Sequence, residues 1–196
     1  MIGTSHVDEH LTMLIEAVFP SNRKVYKNRL LKYPGPISSF SAKIELAYAF
    51  RLIDETLYNS LNALRKIRNE AAHSSSAFDL VDIAEKIKLV YSLGPGVPDV
   101  IKRRATEIMV TMKFENINRM FDENKVEDEI RKQVITDLLN DKDSMGTLEK
   151  QAPHWELICG LSLICGFIAH EKDSVLTLTK KGGTWGSIIG EAHKGE

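Results

Sequence analysis

The stretch that most constrains the fold is an amphipathic segment, residues 54–73. Leu57, Leu61 and Leu64 recur at the i, i+4, i+7 spacing of a helix that turns one face toward a protein core. The next position on that stripe is Arg68, and a charge that faces a core must be paired with a carboxylate or a ligand. The segment therefore predicts a core helix that ends in a charge needing a partner.

Two more polar side chains follow Arg68 in the same segment. Asn69 and His73 lie one helical turn apart and share a face of the helix. Arg68 and His73 are about 140° apart on an ideal helix, so one helix cannot easily aim both at the same atom. Two copies of the helix across a dimer axis can, and a homodimer is therefore the expected assembly.

The flanking sequence predicts a mainly α-helical chain. Pro34 and Pro36 force a turn, after which Ser38 or Ser39 can cap a helix that runs to residue 53. Asp54 can cap the next helix, which gives an antiparallel hairpin. Apolar stripes over residues 7–19 and 79–93 complete a predicted N-terminal helical bundle.

The second half of the chain begins at a break rich in glycine and proline, residues 94–98. This break divides a predicted domain, residues 1–93, from a region over residues 94–190 and a tail over residues 191–196. Helical spacing continues in three predicted helices, over residues 99–121, 126–139 and 155–164. After Gly166, the alternation in residues 167–179 predicts a small C-terminal β-hairpin. Helix, glycine and hairpin together resemble the end of a winged-helix domain, although a hairpin used only for packing fits equally.

Composition narrows the class of function. A net charge of −1, with 43% hydrophobic and 27% charged residues, is typical of a globular protein without a strongly positive surface. Contacts with nucleic acid would therefore be local. The candidate cations for such contacts, which can also form an ordinary solvated face, are Arg23, Lys24, Lys27, Arg29, Lys180 and Lys181.

The two cysteines, Cys159 and Cys165, sit in an apolar run without metal-ligand spacing. They predict reduced core thiols and a cytoplasmic location. The run, residues 157–169, is too short to span a bilayer, so no membrane association is expected. No pattern indicates a cofactor or a metal site.

Residues 35–73, which read GPISSFSAKIELAYAFRLIDETLYNSLNALRKIRNEAAH, resemble the mannitol operon repressor family of bacterial regulators. VDEHLTMLIEAVF (residues 7–19) and FDLVDIAEKIKLV (residues 78–90) extend the likeness over roughly the first half of the chain. The resemblance implies transcriptional regulation. Because the basic patches are modest and no helix is suited to reading bases, we expect this regulation to act through protein contacts of a dimer.

Arg68-Asn69-x-x-x-His73 resembles the Arg-x4-6-His motif of HEPN domains, helical modules of which many are metal-independent ribonucleases. In that alternative, His73 takes the proton of the 2′-hydroxyl and Arg68 stabilises the charged phosphorane. Asn69 orients the imidazole. The chain would then be a toxin or defence component, with an antitoxin as its protein partner.

A structural role for the same three residues is also open. Arg68 can form an ion pair with Glu45 or Glu16, and a protonated His73 is favoured in the last turn of a helix. Asn69 can satisfy backbone groups in residues 74–76. Whether the chain is an enzyme therefore depends on what surrounds Arg68 and His73.

Overall fold

A computed structural model of the chain describes residues 2–19, 24–73, 79–140 and 142–180. These residues form α-helices and no strand, which confirms a mainly α-helical fold. In chain order the helices are α1 (Ile2–Ala17), α2 (Lys24–Leu31), α3 (Phe40–Ala49), α4 (Glu55–His73), α5 (Ala84–Val90), α6 (Val97–Glu123), α7 (Asp128–Asn140) and α8 (Lys142–Lys180).

Five of these helices form a closed ring. Helix α1 packs on α3, α3 on α4, α4 on α5, α5 on α8, and α8 returns to α1. Helix α6 packs on α8 outside this ring, and α7 also contacts α8. The hydrophobic core joins side chains from both sides of the predicted boundary at residues 94–98, for example Leu14 and Leu61 with Ile101 and Ile168. The helices before and after that boundary thus share one core.

The predicted hairpin of α3 and α4 forms through local caps. The Ser39 Oγ accepts a hydrogen bond from the Ala42 N–H at 3.1 Å, and the Asp54 Oδ1 accepts one from the Leu57 N–H at 2.8 Å. Each bond satisfies a backbone donor that the first turn of a helix leaves free. Both predicted caps are confirmed, but α3 ends at Ala49 rather than at residue 53.

Helix α8 corrects the prediction for the C-terminal region. Residues 167–179 are helical, so the predicted β-hairpin and its winged-helix-like end are wrong for these residues, while residues 181–183 lie outside the described part. The helix also continues through Pro153, Gly160 and Gly166. It is therefore much longer than the predicted helix over residues 155–164.

The physical reason for this difference is a single buried face. Ile164, Ile168 and Val175 are at most 1% exposed, and they share one side of α8 because they are four and eleven residues apart. Burial on a common helical face outweighs the weak strand preference of alternating Val, Leu and Thr. The helix accommodates Thr177 and Thr179, whose hydroxyls donate hydrogen bonds to the carbonyl four residues earlier, at 2.8 and 3.0 Å.

The described part of α8 is also long and apolar enough, by length and composition alone, to cross a membrane. The stretch is Gly146–Thr179; its 18-residue window has a mean hydropathy of 1.4, and 22% of that window is buried. Core helices of soluble proteins pass the same test. The low burial shows that much of the surface of this window is not covered by the residues that the structure describes.

Candidate functional site at the end of helix α4

The candidate site lies where α4 extends beyond α3. The two helices run antiparallel, with Tyr58 stacked on Tyr48 at 4.3 Å between ring centroids and Arg65 bonded to Ser41 at 2.7 Å. Because α3 begins at Phe40, its helical turns cover α4 only to about Arg65. The last two turns of α4 therefore extend beyond the helical part of α3.

This geometry explains where Arg68 lies. The buried side chains of α4 are Leu57, Ser60, Leu61, Leu64 and Ile67. Ile67 thus takes the inner position at the helix end, where α4 packs on α5, while Arg68 is exposed. The apolar stripe of Leu57, Leu61 and Leu64 is confirmed, but its continuation into a buried Arg68 is wrong.

The ion pair expected for Arg68 is absent among the described residues. The Glu45 carboxylate accepts hydrogen bonds from the Tyr58 hydroxyl at 3.1 and 3.2 Å, near the other end of α4. Within the described part of the chain, Arg68 forms no hydrogen bond or ion pair with Glu16 or any other side chain. Its guanidinium is available to an external anion.

Asn69 and His73 are exposed as well, one turn apart on the outer surface of α4. Residues 74–76, the expected partners of Asn69, lie outside the described residues. The neighbouring Glu70 carboxylate is neutralised by Lys86 at 2.7 Å. Because Lys66 is also exposed on this surface, the end of α4 presents cations and an imidazole to solvent.

Three of the other nucleic-acid candidates, Lys24, Lys27 and Arg29, lie on α2. Lys24 and Arg29 are exposed on α2, and Lys27 is half-buried there. Arg23 and Lys181 lie outside the described residues, and Lys180 closes α8 with a side chain that is not described. In the described part, no hydrogen bond or ion pair links the α2 cations to the end of α4. Helix α2 does not pack extensively on α4, so its cations Lys24, Lys27 and Arg29 do not form one packed site with Arg68.

The other candidate reactive groups in the described part of the chain would be a cluster that could hold a metal ion or the two cysteines. Among the described residues, no group of three His, Cys, Asp or Glu side chains could hold a metal ion. Cys159 and Cys165 are free thiols that are half-buried on α8, and burial raises the pKa of both. A raised pKa lowers the thiolate fraction, which makes these cysteines weak nucleophiles.

Comparison of the chain with family models, with curated proteins and with solved structures gives no match. The resemblances to the mannitol operon repressor family and to HEPN domains therefore remain predictions.

Proposed function

We propose that this protein is a regulator, resembling the mannitol operon repressor family, that acts through protein contacts as a homodimer. The observation that supports the proposal is an exposed apolar face on α8. We define this α8 face by five side chains, Ile158, Ser162, Cys165, Ala169 and Leu176, which lie within an arc of about 60° on an ideal helix.

Among the described residues, the α8 face is only partly covered, and its one contact with the core is through Cys165. Ile158 is 38% exposed and Leu176 is 37% exposed, Ser162 is exposed, and Cys165 and Ala169 are half-buried. Helices α1, α5 and α6 occupy other sides of α8. An apolar stripe left open along such a helix is typical of an interaction surface.

A second copy of the chain is the occupant that fits this face. In an antiparallel pair of α8 helices, a two-fold axis between Ser162 and Cys165 places the large Ile158 opposite the small Ala169. The same register places Ser162 opposite Cys165. Large side chains facing small ones let the two helices pack closely along a self-complementary seam.

Cross-linking in solution tests both the dimer and its register. In Ser162→Cys, the new thiol lies opposite Cys165 of the second copy, so we expect oxidation to give a covalent dimer. The double variant Ser162→Cys/Cys165→Ser is the matched control and should not cross-link if the register is right. A control that cross-links as well as the single variant would contradict this register.

Sedimentation analysis gives an independent measurement. Replacing Ile158 and Leu176 together with glutamate puts four like charges into the proposed interface, and we expect dimer affinity to fall at least 100-fold. His170→Glu, an exposed position on another side of α8, is the control and should remain dimeric. A monomeric wild type, or an equally dimeric double variant, would refute the proposal.

A metal-independent ribonuclease is the second candidate, and a specific observation favours it. Arg68, Asn69 and His73 are all exposed, and the carboxylate expected to pair with Arg68 bonds to Tyr58 instead. RNA cleavage without a metal needs a base that titrates near neutral pH and a cation that stabilises the phosphorane. His73 carries an imidazole and Arg68 a guanidinium, the side-chain groups that suit these two roles.

The test is cleavage of a labelled RNA by the purified protein in EDTA. We expect His73→Ala to lower the cleavage rate about 10²–10⁴-fold, the range for loss of a general base. Lys66→Ala removes an exposed charge from the same surface and should leave most of the activity. Intact RNA with wild-type protein would exclude the ribonuclease and leave the regulator.

A further inference from the structure

A cavity of about 700 Å³ lies between the α3–α4 turn and α8. Its walls are largely apolar and aromatic, with Tyr48, Leu52, Leu57, Leu93 and Phe167 among them. Binding sites for small ligands typically have volumes of about 300–1,000 Å³ and apolar walls with a few polar groups. The polar groups in this cavity decide which ligand suits it.

One of these groups, Arg51, has an unusual backbone conformation. Its φ is 53°, in the left-handed region that favours glycine. It occupies the residue after the cap of α3, and it donates its N–H to the Tyr48 carbonyl at 2.9 Å, while Leu52 donates to the Ala47 carbonyl at 2.8 Å. These two bonds form a Schellman motif, where glycine is the usual residue at this position.

Lys125 adopts the same conformation, with φ also 53°, in the equivalent position after α6. It does not line this cavity. The conformation alone therefore carries no function. What distinguishes Arg51 is that it lines this cavity, whereas Lys125 does not, so Lys125 supplies a matched control.

Two charged side chains that line the cavity, one cation and one anion, are available to bind a ligand. Asp54 lines it, but its carboxylate caps α4 through the Leu57 N–H. The side chains of Arg51 and of the half-buried Glu171 form no hydrogen bond or ion pair with any residue that the structure describes. A guanidinium binds a carboxylate through paired hydrogen bonds, and a carboxylate binds an ammonium group.

We propose that this cavity binds a small zwitterion with an apolar body, whose carboxylate is received by Arg51 and whose ammonium group is received by Glu171. A short peptide with apolar side chains has this chemistry. The apolar body would contact Leu93 and Phe167, and Phe167 is 42% exposed. Burial of that apolar surface supplies affinity, while the two charged groups select the ligand.

Calorimetric titration of the full chain with three forms of one dipeptide tests the proposal. The probes are Leu-Phe, its N-acetyl form, which keeps only the carboxylate, and its C-terminal amide, which keeps only the ammonium group. We expect each cap to weaken binding about tenfold, because each removes one charge-assisted hydrogen-bonded pair.

Variants then assign each charge to its residue. In Arg51→Gly, Leu-Phe should bind about tenfold more weakly, and amidation should cause no further loss. In Glu171→Gln, N-acetylation of Leu-Phe should weaken binding no further. Lys125→Gly relieves the same backbone strain elsewhere and should bind as the wild type does. Circular dichroism of each variant verifies that it is folded.

Two results would overturn the proposal. One is the absence of heat from all three probes at millimolar concentration with folded wild-type protein. The other is amidation that weakens binding equally in wild type and Arg51→Gly, which would place the carboxylate away from Arg51.

Discussion

The ion pair between Lys43 and Asp8 allows a sharp stability test, since its two partners differ in burial. The Lys43 ammonium lies 2.8 Å from the Asp8 carboxylate, with side-chain exposures of 6% and 30%. The pair joins α3 to α1. In Asp8→Asn, the Lys43 charge stays buried without its counter-charge, whereas in Lys43→Met the remaining Asp8 can still reach water.

The expected free-energy changes follow from this asymmetry. Breaking a fully buried pair by removing one partner costs about 3–5 kcal/mol, and the partial exposure of Asp8 lowers our estimate for Asp8→Asn to about 2–3 kcal/mol. Lys43→Met fills the same space with an apolar chain and should cost about 1 kcal/mol or less. The double variant should cost no more than about 1 kcal/mol, because it leaves no buried charge.

Urea unfolding followed by far-UV circular dichroism measures these free energies, provided that the slope of the unfolding free energy against urea concentration is the same in each variant as in the wild type. Lys86→Met is the control: its pair with Glu70 has nearly the same length, 2.7 Å, but the side chains are 53% and 46% exposed. We expect a loss of about 0.5 kcal/mol there. If Asp8→Asn costs no more than Lys86→Met, or less than Lys43→Met, the reasoning from burial is wrong.

Three further predictions concern α8 and its contact with α5. Gly160→Ala should destabilise the protein by about 1–3 kcal/mol, because the added Cβ would lie 2.8 Å from the Tyr91 Cβ. Gly166→Ala should stabilise the protein by about 0.5–1 kcal/mol, because its added Cβ meets no atom within 4 Å. Urea unfolding measures both changes. Tyr91→Phe should cost about 1 kcal/mol in the same assay, because the hydroxyl donates a hydrogen bond to Glu156 at 2.6 Å. Burial, followed by the Glu156 interaction, raises the pKa of Tyr91, so the folded protein keeps a proton that the unfolded chain releases above about pH 10. The stabilisation that follows from the raised pKa of Tyr91 is complete below about pH 10 and is lost as the pH rises further. The wild type should therefore lose more stability than Tyr91→Phe between about pH 9 and 11. Equal losses would refute the assignment.

The sequence predicted the elements that depend on local signals. Ser39 and Asp54 each precede an amphipathic run and cap a helix, and Leu57, Leu61 and Leu64 identify the inner face of α4. Such signals act within one or two helical turns. The helical hairpin they predict is the part of the fold that carries the candidate site.

Contacts between distant parts of the chain were not predictable in this way. Asp8 and Lys43 are 35 residues apart. Nothing in the sequence around either residue shows that the Lys43 side chain on α3 points toward α1. The exposure of Arg68 depends similarly on where α3 begins, since a longer α3 would cover that side of α4. Helical periodicity predicts the face of the helix on which a side chain lies, but not the residue that this side chain contacts.

Arg51 shows why the end of α3 was also missed. Residues 49–54 read AFRLID and contain no glycine to mark a helix end, so the periodicity predicts a helix to residue 53. The fold buries both Leu52 and Ile53, at 2% and 4% exposure, and it does so by stopping α3 and turning the chain at Arg51. Tertiary burial therefore overrides a local preference at this residue, and conflicts of this kind are expected at functional sites. Lys125 has the same backbone conformation but does not line this cavity, so the glycine variants of the two positions distinguish the effect of the strained turn from that of the proposed ligand contact.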